Sequence, residues 1–211
     1  MTFPDRLRLP MRFDAARLRQ DLGRLQGAAW IDHFVTQNYT GEWSVVPLRG
    51  PAGAAHPVMM IYSDPTARLF EDTPFLDEAP YMREVLAAFH CPMLSARLMR
   101  LTSGSLIKTH QDLDLDADGG VVRVHLPIVT HPDVDFRLNG RAVTMAAGSA
   151  WYLRLSDPHS VANRSPLDRV HLVMDMEVNA WLRAVLQEAA EGHAQPQRRQ
   201  RVGDDREAAG L

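Results

Sequence analysis

The second half of the chain is a succession of short strand-like segments separated by turn residues. From residue 95 onward, runs such as ARLMRLT, VVRVHLPIV and RVHLVMDM alternate with glycine, proline, asparagine and aspartate. Many short strands with turn signals between them are typical of an antiparallel sandwich or barrel. The sequence therefore predicts a mainly β protein whose core, over about residues 43–176, is a double-stranded β-helix, or jelly roll.

Helices are expected on both sides of this β region. Asp14 precedes the first as a capping residue, and Pro80 falls in the first turn of the second. Apolar residues recur at helical spacing in each segment, which indicates one buried face. The expected helices cover residues 14–26, 77–90 and 178–190, and additional strands are expected at 43–49 and 57–62.

The length of the chain suits one domain, which we place at residues 1–190. With 211 residues, it is long enough to bury a sizeable core. The segment 191–211 is polar and lacks a periodic apolar face, so we expect it to be a disordered tail.

Charge and cysteine content narrow the partners and the compartment. The formal net charge of −3 does not indicate a nucleic-acid or membrane-surface partner. Cys91 is the only cysteine, which fits a reducing compartment. The N-terminus lacks the apolar run of a secretory signal, and no segment reaches the roughly 20 apolar residues that span a bilayer. These features predict a cytoplasmic protein.

The stretch THQDLDLD, residues 109–116, contains the first candidate metal ligands. His110 and Asp112 are two positions apart, so on a strand their side chains point to the same face. His159 follows 47 residues after Asp112, in a segment expected to be a turn between strands. Two histidines and one carboxylate form the facial triad of non-haem Fe(II) oxygenases. The alternative for such an acidic stretch is a solvated turn, which is our interpretation of Asp114 and Asp116.

Arg169, ten residues after His159, begins the apolar strand RVHLVMDM. A charge facing a buried sheet surface is costly unless it is paired, and a dicarboxylate would match its guanidinium fork. Arg123 and His125 share one face of another apolar strand. The alternatives are ion pairs of the arginines with Asp168 or Asp175, and a core role for His125.

At these residues the chain resembles a known family. The segments RLTSGSLIKTHQD, RVHLPIV and GSAWYLRLSDPHSVANRSPLDRVHLVMDM are similar to the aspartyl/asparaginyl β-hydroxylase family of Fe(II)/2-oxoglutarate oxygenases, over roughly residues 95–176. The resemblance implies a jelly-roll core, one iron, and use of O2 and 2-oxoglutarate with release of succinate and carbon dioxide. The hydroxylated substrate would be an amino acid, either free, such as proline, or within an Asp/Asn-type peptide.

The resemblance also implies residue roles. By position, His110, Asp112 and His159 match the iron ligands, and Arg169 matches the residue that binds the distal carboxylate of 2-oxoglutarate. All four are present in the expected order.

Two further positions match the family, and one departs from it. Arg123 and His125 match a pair that lies near the other end of the cosubstrate. A serine that helps to bind 2-oxoglutarate in the family falls at Met99 here. Arg97 or Arg100 could supply charge instead, and their spacing lets only one of them face the pocket.

The substrate pocket and the reaction stay open at the level of sequence. Asn38, Trp43 and Arg49 are candidate lining residues. One alternative to an oxygenase is a non-catalytic jelly-roll module that binds an anion or small ligand. Another is a cupin-like zinc or manganese enzyme, which would have no need for Arg169; a side chain of Arg169 turned to solvent would favour it.

Overall fold

A computed structural model describes residues 2–25, 30–61 and 66–207, with side chains described as far as His193. Its strands are β1 (Arg6–Arg12), β2 (Ile31–Asp32), β3 (Tyr39–Thr40), β4 (Trp43–Pro51), β5 (Phe70–Asp72), β6 (Met93–Leu101), β7 (Leu106–His110), β8 (Val121–Val129), β9 (Val134–Leu138), β10 (Arg141–Ala142), β11 (Ser149–Leu153), β12 (His159–Asn163) and β13 (Arg169–Glu177). Its helices are α1 (Ala15–Arg24), α2 (Pro57–Ile61), α3 (Pro74–Asp77), α4 (Pro80–Ala87) and α5 (Ala180–Glu207).

The strands form two antiparallel sheets that face each other. The larger has the order β1-β11-β8-β13-β6-β4-β2, with β5 added on β4, and the smaller has the order β10-β9-β12-β7-β3. From β6 to β13 the chain passes back and forth between the sheets, which is the path of a jelly roll. The predicted fold class is therefore confirmed, with helices before and after the β core.

The large sheet has an apolar outer face and a partly polar inner face. Even-numbered residues of β6, β8 and β13, such as Leu98, Val124 and Leu172, belong to the apolar cluster under the helices. Because side chains alternate across a strand, the odd-numbered residues face the space between the sheets, where a second apolar cluster includes Val173. Most of the polar residues discussed below are odd-numbered members of these three strands: Arg97, Arg123, His125, Arg169, His171 and Asp175.

The two predicted N-terminal helices are present but shorter than expected: α1 covers Ala15–Arg24 of the predicted 14–26, and α4 covers Pro80–Ala87 of the predicted 77–90. Asp14 caps α1, its side chain accepting hydrogen bonds from the backbone N–H groups of Ala16 and Arg17. Pro80 is the first residue of α4, where its missing N–H costs nothing. The apolar stripe predicted for α4 is buried: Met82, Val85, Leu86 and Phe89.

The strand predicted at 57–62 is wrong. Residues Pro57–Ile61 form α2 instead, and residue 62 lies outside the described residues. Pro57 opens the helix at a position that tolerates proline, and of its five residues only Ile61 is fully buried. The periodicity of an apolar run this short does not distinguish a strand from a helix. In the structure the segment is a helix that packs against β4.

Five strands were not predicted: the short strands β2, β3 and β5, and two longer ones. The segment RLRLPMR forms β1 on the edge of the large sheet, where Pro10 is tolerated, and Leu7 and Leu9 are buried. The second is β12, which begins at His159, where the sequence had indicated a turn. It pairs with both β7 and β9, so non-local hydrogen bonds hold a segment whose local sequence is rich in turn residues.

The closing helix predicted from residue 178 corresponds to α5, which begins at Ala180. The helix continues to Glu207, across the segment for which disorder was expected, and the division of the chain at residue 191 stays a prediction. In the described part of the chain, no helix combines the length and the hydropathy needed to cross a membrane.

Candidate metal centre

The three predicted metal ligands meet at one end of the barrel. His110 ends β7 and His159 begins β12, and the two residues are direct cross-strand partners. Their ring centroids are 4.2 Å apart, and the Nε2 atom of His110 is 3.5 Å from Oδ1 of Asp112. One ligand atom from each of the three residues lies within 4.8 Å of those of the other two. The arrangement is compatible with coordination of a single ion.

Backbone carbonyl groups fix the orientation of both imidazole rings. Nδ1 of His110 lies 2.8 Å from the carbonyl oxygen of Lys108, and Nδ1 of His159 lies 3.0 Å from that of Asp157. A carbonyl oxygen only accepts, so Nδ1 carries the proton in each ring and Nε2 keeps its lone pair for a metal. Burial, reinforced by the nearby His110, lowers the pKa of His159 to about 4, which keeps it neutral near pH 7.

Asp112 is oriented by Arg123. The Nη1 group of Arg123 donates to Oδ2 of Asp112 at 2.6 Å, and this leaves Oδ1 on the side of His110. The backbone N–H of Asp112 donates to the carbonyl of Leu155, which ties the residue to the chain just ahead of β12. Two imidazole nitrogens and one carboxylate oxygen are the ligand set of non-haem Fe(II), so the site fits the metal that the sequence predicted.

Arg97, Arg123 and Asp175 form a buried charged group, which we call the aspartate-bridged cluster. Arg123 donates from Nε and Nη2 to the two oxygens of Asp175 at 2.6 and 2.8 Å, and Arg97 donates from Nη2 at 2.5 Å. Ser95 adds a hydrogen bond to the same carboxylate. Burial opposes ionisation of Asp175, but the charges of Arg123 and Arg97 outweigh it and lower its pKa.

Arg169, His171 and His125 form a second buried group, which we call the arginine–histidine cluster. The Nη2 group of Arg169 is 2.8 Å from Nδ1 of His171, which is 3.3 Å from Nδ1 of His125. Among the described residues, no carboxylate forms an ion pair with Arg169, although only 2% of its surface is exposed. Burial lowers its pKa to about 9.

Two cavities connect these groups. A narrow one lies between the sheets and is lined by the three candidate ligands together with Arg123, His125, Phe136 and Arg169. The candidate metal ligands and Arg169 therefore line the same cavity. A larger cavity of about 450 Å³ adjoins the ligands on the other side and is lined by residues that include His33, Asn38, Trp43, Arg97, His110, Asp112 and Leu113.

Of the candidate lining residues, Asn38 and Trp43 border the larger cavity and Arg49 does not. The guanidinium of Arg49 instead donates to Asp72 and to the backbone carbonyls of Met93 and Phe70. It therefore joins β4 to its neighbours at a distance from the site.

Arg97 and Arg100 point to opposite faces, as their spacing predicted. Arg97 lines the larger cavity. Arg100 lies outside the barrel, where its guanidinium is 4.4 Å from the ring of Trp30 and donates to Ser44. Arg97 is thus the one of the two that supplies charge to the pocket.

Sequence reasoning missed His33 as a pocket residue. Its ring stacks on Trp43 with centroids 3.6 Å apart and planes at 4°. Burial, with a further contribution from Arg97, lowers its pKa to about 3, so it is neutral beside the cavity. It lies in the segment IDHF, which carries no metal-ligand or catalytic spacing, so no sequence signal pointed to it.

Comparison with known proteins agrees with this geometry. The sequence profile of the aspartyl/asparaginyl β-hydroxylase family matches residues 12–178. An L-proline cis-4-hydroxylase of Rhizobium meliloti (strain 1021) is 28% identical over 173 residues, which make up 81% of this chain and 60% of that protein. The chain thus spans 60% of the length of this curated relative.

Solved structures support the fold. An oxidoreductase of the 2OG-Fe(II) oxygenase family from Burkholderia pseudomallei aligns with a TM-score of 0.53 and 16% identity, over 83% of this chain and 86% of its own. A Pseudomonas putida prolyl-4-hydroxylase aligns with a TM-score of 0.51 and 14% identity, over 83% and 94%. The family profile covers most of the sequence, including every candidate site residue, and the chain belongs to the aspartyl/asparaginyl β-hydroxylase family.

Proposed function

We propose that the protein is an Fe(II)- and 2-oxoglutarate-dependent dioxygenase that hydroxylates a free amino acid, with proline as the first candidate. One observation carries the proposal. A complete His-Asp-His ligand set and a buried arginine without a carboxylate partner line the same narrow cavity. The first suits the metal, and the second suits the far carboxylate of a diacid. The similarity to an L-proline cis-4-hydroxylase supports the choice of substrate class.

The chain's own residues would bind, orient and exclude water. His110, Asp112 and His159 would hold the iron, with Arg123 directing one oxygen of Asp112 toward it. Arg169 would anchor 2-oxoglutarate by its distal carboxylate. When bound, iron and 2-oxoglutarate together supply the oxidising chemistry, which consumes O2 and releases succinate and carbon dioxide. The buried walls around Arg169 keep bulk water from the cosubstrate.

The larger cavity suits a small amino acid. Arg97 lines it, and the Nε group of Arg97 is buried without a hydrogen-bond partner among the described residues, so a substrate carboxylate is a suitable acceptor. Trp43, Val45 and Met99 offer an apolar wall for a hydrocarbon ring or chain next to the candidate metal ligands. A free amino acid therefore suits the cavity better than a long peptide.

The alternatives fit the structure less well. A zinc or manganese enzyme of other chemistry would be favoured by an Arg169 turned to solvent, but the residue is buried. A non-catalytic binding module would have no need for the two carbonyl hydrogen bonds that keep Nε2 of His110 and His159 free. The formal net charge of −3 gives no reason to propose a nucleic-acid partner. We also propose a cytoplasmic location, which the free thiol of Cys91 suits.

The test is turnover by the purified protein. With Fe(II), ascorbate, 2-oxoglutarate and a panel of free amino acids and short Asp/Asn peptides, we expect succinate and a product heavier by one oxygen, with proline among the best substrates. Mass spectrometry reads both. Absence of succinate and of 2-oxoglutarate binding would refute the proposal.

Matched variants tie the activity to the metal site. His110→Ala and Asp112→Asn should abolish turnover while the far-ultraviolet spectrum stays that of a folded protein. Asp114→Asn changes an exposed acid two residues away, and His131→Ala changes a histidine that is not in the ligand set. Both control variants should remain active.

A further inference from the structure

His33 lies in the wall of the larger cavity, and several contacts hold its ring in place. The ring stacks on Trp43 with centroids 3.6 Å apart, and the ring of Phe34 lies nearly parallel to it at 5.0 Å. The backbone N–H of His33 donates to the carbonyl of Trp43, and its own carbonyl accepts from the hydroxyl of Tyr39. Because the ring is already ordered in the free protein, a ligand that binds to it pays little to fix it.

The position of the proton on His33 follows from a backbone neighbour. The backbone N–H of Val35 donates to Nδ1 of His33 at 3.3 Å, and an N–H group does not accept, so Nδ1 has no proton. A ring with an unprotonated Nδ1 is neutral, and its single proton is on Nε2. Burial, and then the charge of Arg97, lower the pKa of His33 to about 3, which agrees with a neutral ring.

The Nε2–H group of His33 has no acceptor in the described part of the chain. It is also absent from the buried polar atoms that lack a partner there, so it keeps exposed surface. Since His33 lines the larger cavity, this N–H is available to a ligand in that cavity.

The donor and the candidate metal ligands border the same space. His33, Arg97 and His110 all line the cavity of about 450 Å³. Trp43, on which His33 stacks, has its ring centroid 6.5 Å from that of His110. Among charged groups, Arg97 has the strongest effect on the pKa of His33. A small molecule held by His33 and Arg97 would therefore extend toward the metal ligands with its other end.

A free amino acid offers this donor one kind of acceptor. Its ammonium group only donates hydrogen bonds, whereas its carboxylate only accepts them. The hydrocarbon part of an amino acid such as proline does neither. A hydrogen bond from an N–H group to an ionised carboxylate is charge-assisted and belongs to the stronger class. The carboxylate is thus the group that suits Nε2–H of His33.

We propose that His33 binds the carboxylate of the amino-acid substrate through its Nε2–H group, beside Arg97, and thereby turns the hydrocarbon end of the substrate toward the metal ligands. The inference rests on the proposed function and adds a residue that determines specificity. A residue within a peptide chain has no free carboxylate, so this contact favours free amino acids over peptides.

The experiment is a calorimetric titration of L-proline into the anaerobic protein loaded with Fe(II) and 2-oxoglutarate. His33→Phe keeps an aromatic ring against Trp43 but has no N–H, so the affinity for proline should fall by about tenfold to hundredfold. His33→Gln loses the aromatic ring but places an amide N–H near the position of Nε2, and it should bind proline more tightly than His33→Phe. The affinity for 2-oxoglutarate, measured before proline is added, should stay that of the wild type in both variants.

A purely structural role predicts the reverse order. If the ring only supported Trp43, His33→Phe would bind proline like the wild type and His33→Gln would bind it more weakly. That order would overturn the role of His33 and leave the proposed function intact. Failure of the wild type itself to bind 2-oxoglutarate or L-proline would overturn the proposed function instead.

Two further variants complete the design. His56→Phe changes an exposed histidine and should bind proline like the wild type. If His33→Phe does not fold, His33→Asn replaces it. The side-chain oxygen of that asparagine can accept from the N–H of Val35, but its amide is too short to donate at the position of Nε2. It should therefore show the same loss of proline affinity, and wild-type affinity would contradict the proposal.

Discussion

The barrel buries two groups of arginines, and they differ in what neutralises them. Arg97 and Arg123 converge on Asp175, and Arg123 also reaches Asp112. Arg169 is just as buried, yet its hydrogen-bond partner is the neutral ring of His171. The aspartate-bridged cluster contains its own counter-charge, whereas the arginine–histidine cluster has none among the described residues.

The difference separates structure from binding. A buried charge is tolerated when it is paired, and the bridged cluster meets that condition within the chain. The fold therefore depends on the pairing staying intact, and Arg123 orients a metal ligand at the same time. The unpaired cluster costs stability in the free protein. Under the proposed function, that cost would be recovered when a diacid binds. Substitutions in the bridged cluster should consequently lower the stability of the free protein, whereas substitution of Arg169 should lower ligand affinity.

The largest effect is expected from breaking the paired cluster. Asp175→Asn leaves Arg97 and Arg123 buried without their shared carboxylate, so the free energy of unfolding should fall by about 3–5 kcal/mol. Urea denaturation followed by fluorescence measures it. Asp135→Asn removes an acid whose partners Arg137 and Arg164 are exposed, and should cost about 1 kcal/mol or less. Equal losses of unfolding free energy in the two variants would show that the buried cluster matters no more to stability than an exposed ion pair.

Arg169→Met tests the unpaired cluster. The binding free energy of 2-oxoglutarate should become less favourable by about 2–5 kcal/mol, because a buried charge pair with the ligand is lost. The free energy of unfolding without ligand should not fall, because the variant removes a charge that has no acid partner. Arg123→Met, by contrast, should destabilise the free protein. Denaturation with and without 2-oxoglutarate separates the two effects, and a large loss of stability in unliganded Arg169→Met would show that this arginine is structural.

Arg123→Lys sharpens the role of the bridged cluster at the metal. A lysine is a point charge and cannot bind Asp112 and Asp175 together as the guanidinium does. Affinity for Fe(II) should fall by about tenfold to hundredfold, the usual result of removing a group that orients a ligand. Arg100→Lys, on the outer face of β6, is the matched control. Wild-type metal affinity in Arg123→Lys would mean that Asp112 is oriented by other contacts.

The smallest effect concerns pH and the histidines beside the clusters. The pKa values of His33 and His159 in the fold are about 3 and about 4, below the ordinary value of 6.5. A histidine whose pKa is lower in the folded than in the unfolded state makes its full contribution to stability above pH 6.5. This contribution is lost as the pH falls toward the pKa of the folded state, by about 1.4 kcal/mol per pH unit for each such residue.

His33→Phe removes one of these histidines from the aromatic stack beside Arg97. Its free energy of unfolding should therefore decline less steeply than that of the metal-free wild type between pH 6.5 and 5.5. His56→Phe, at an exposed position, should keep the wild-type slope. Parallel pH profiles for His33→Phe and the wild type would contradict the buried, neutral state of His33.

Part of the site was predictable because side chains alternate along β8 and β13. Arg123 and His125 were expected to share a face, and both lie on β8, whereas Asp112 lies beyond the end of β7, so its position beside His110 does not come from strand alternation. The same rule applied to RVHLVMDM puts Asp175 on the face of Arg169, although we had considered it only as a possible ion-pair partner. Its actual partners, Arg97 and Arg123, come from two neighbouring strands and depend on sheet order.

The sequence by itself determined the mainly β class and the caps at which the first two helices begin, Asp14 and Pro80, and its motifs pointed to the family, since these depend on local residue types and spacing. Only the tertiary structure decided that His159 begins a strand opposite His110, that Asp175 neutralises two arginines, and that Arg169 has no acid beside it. These facts depend on which strands are neighbours and in what register. Pairing between distant segments fixes both, and local periodicity contains neither.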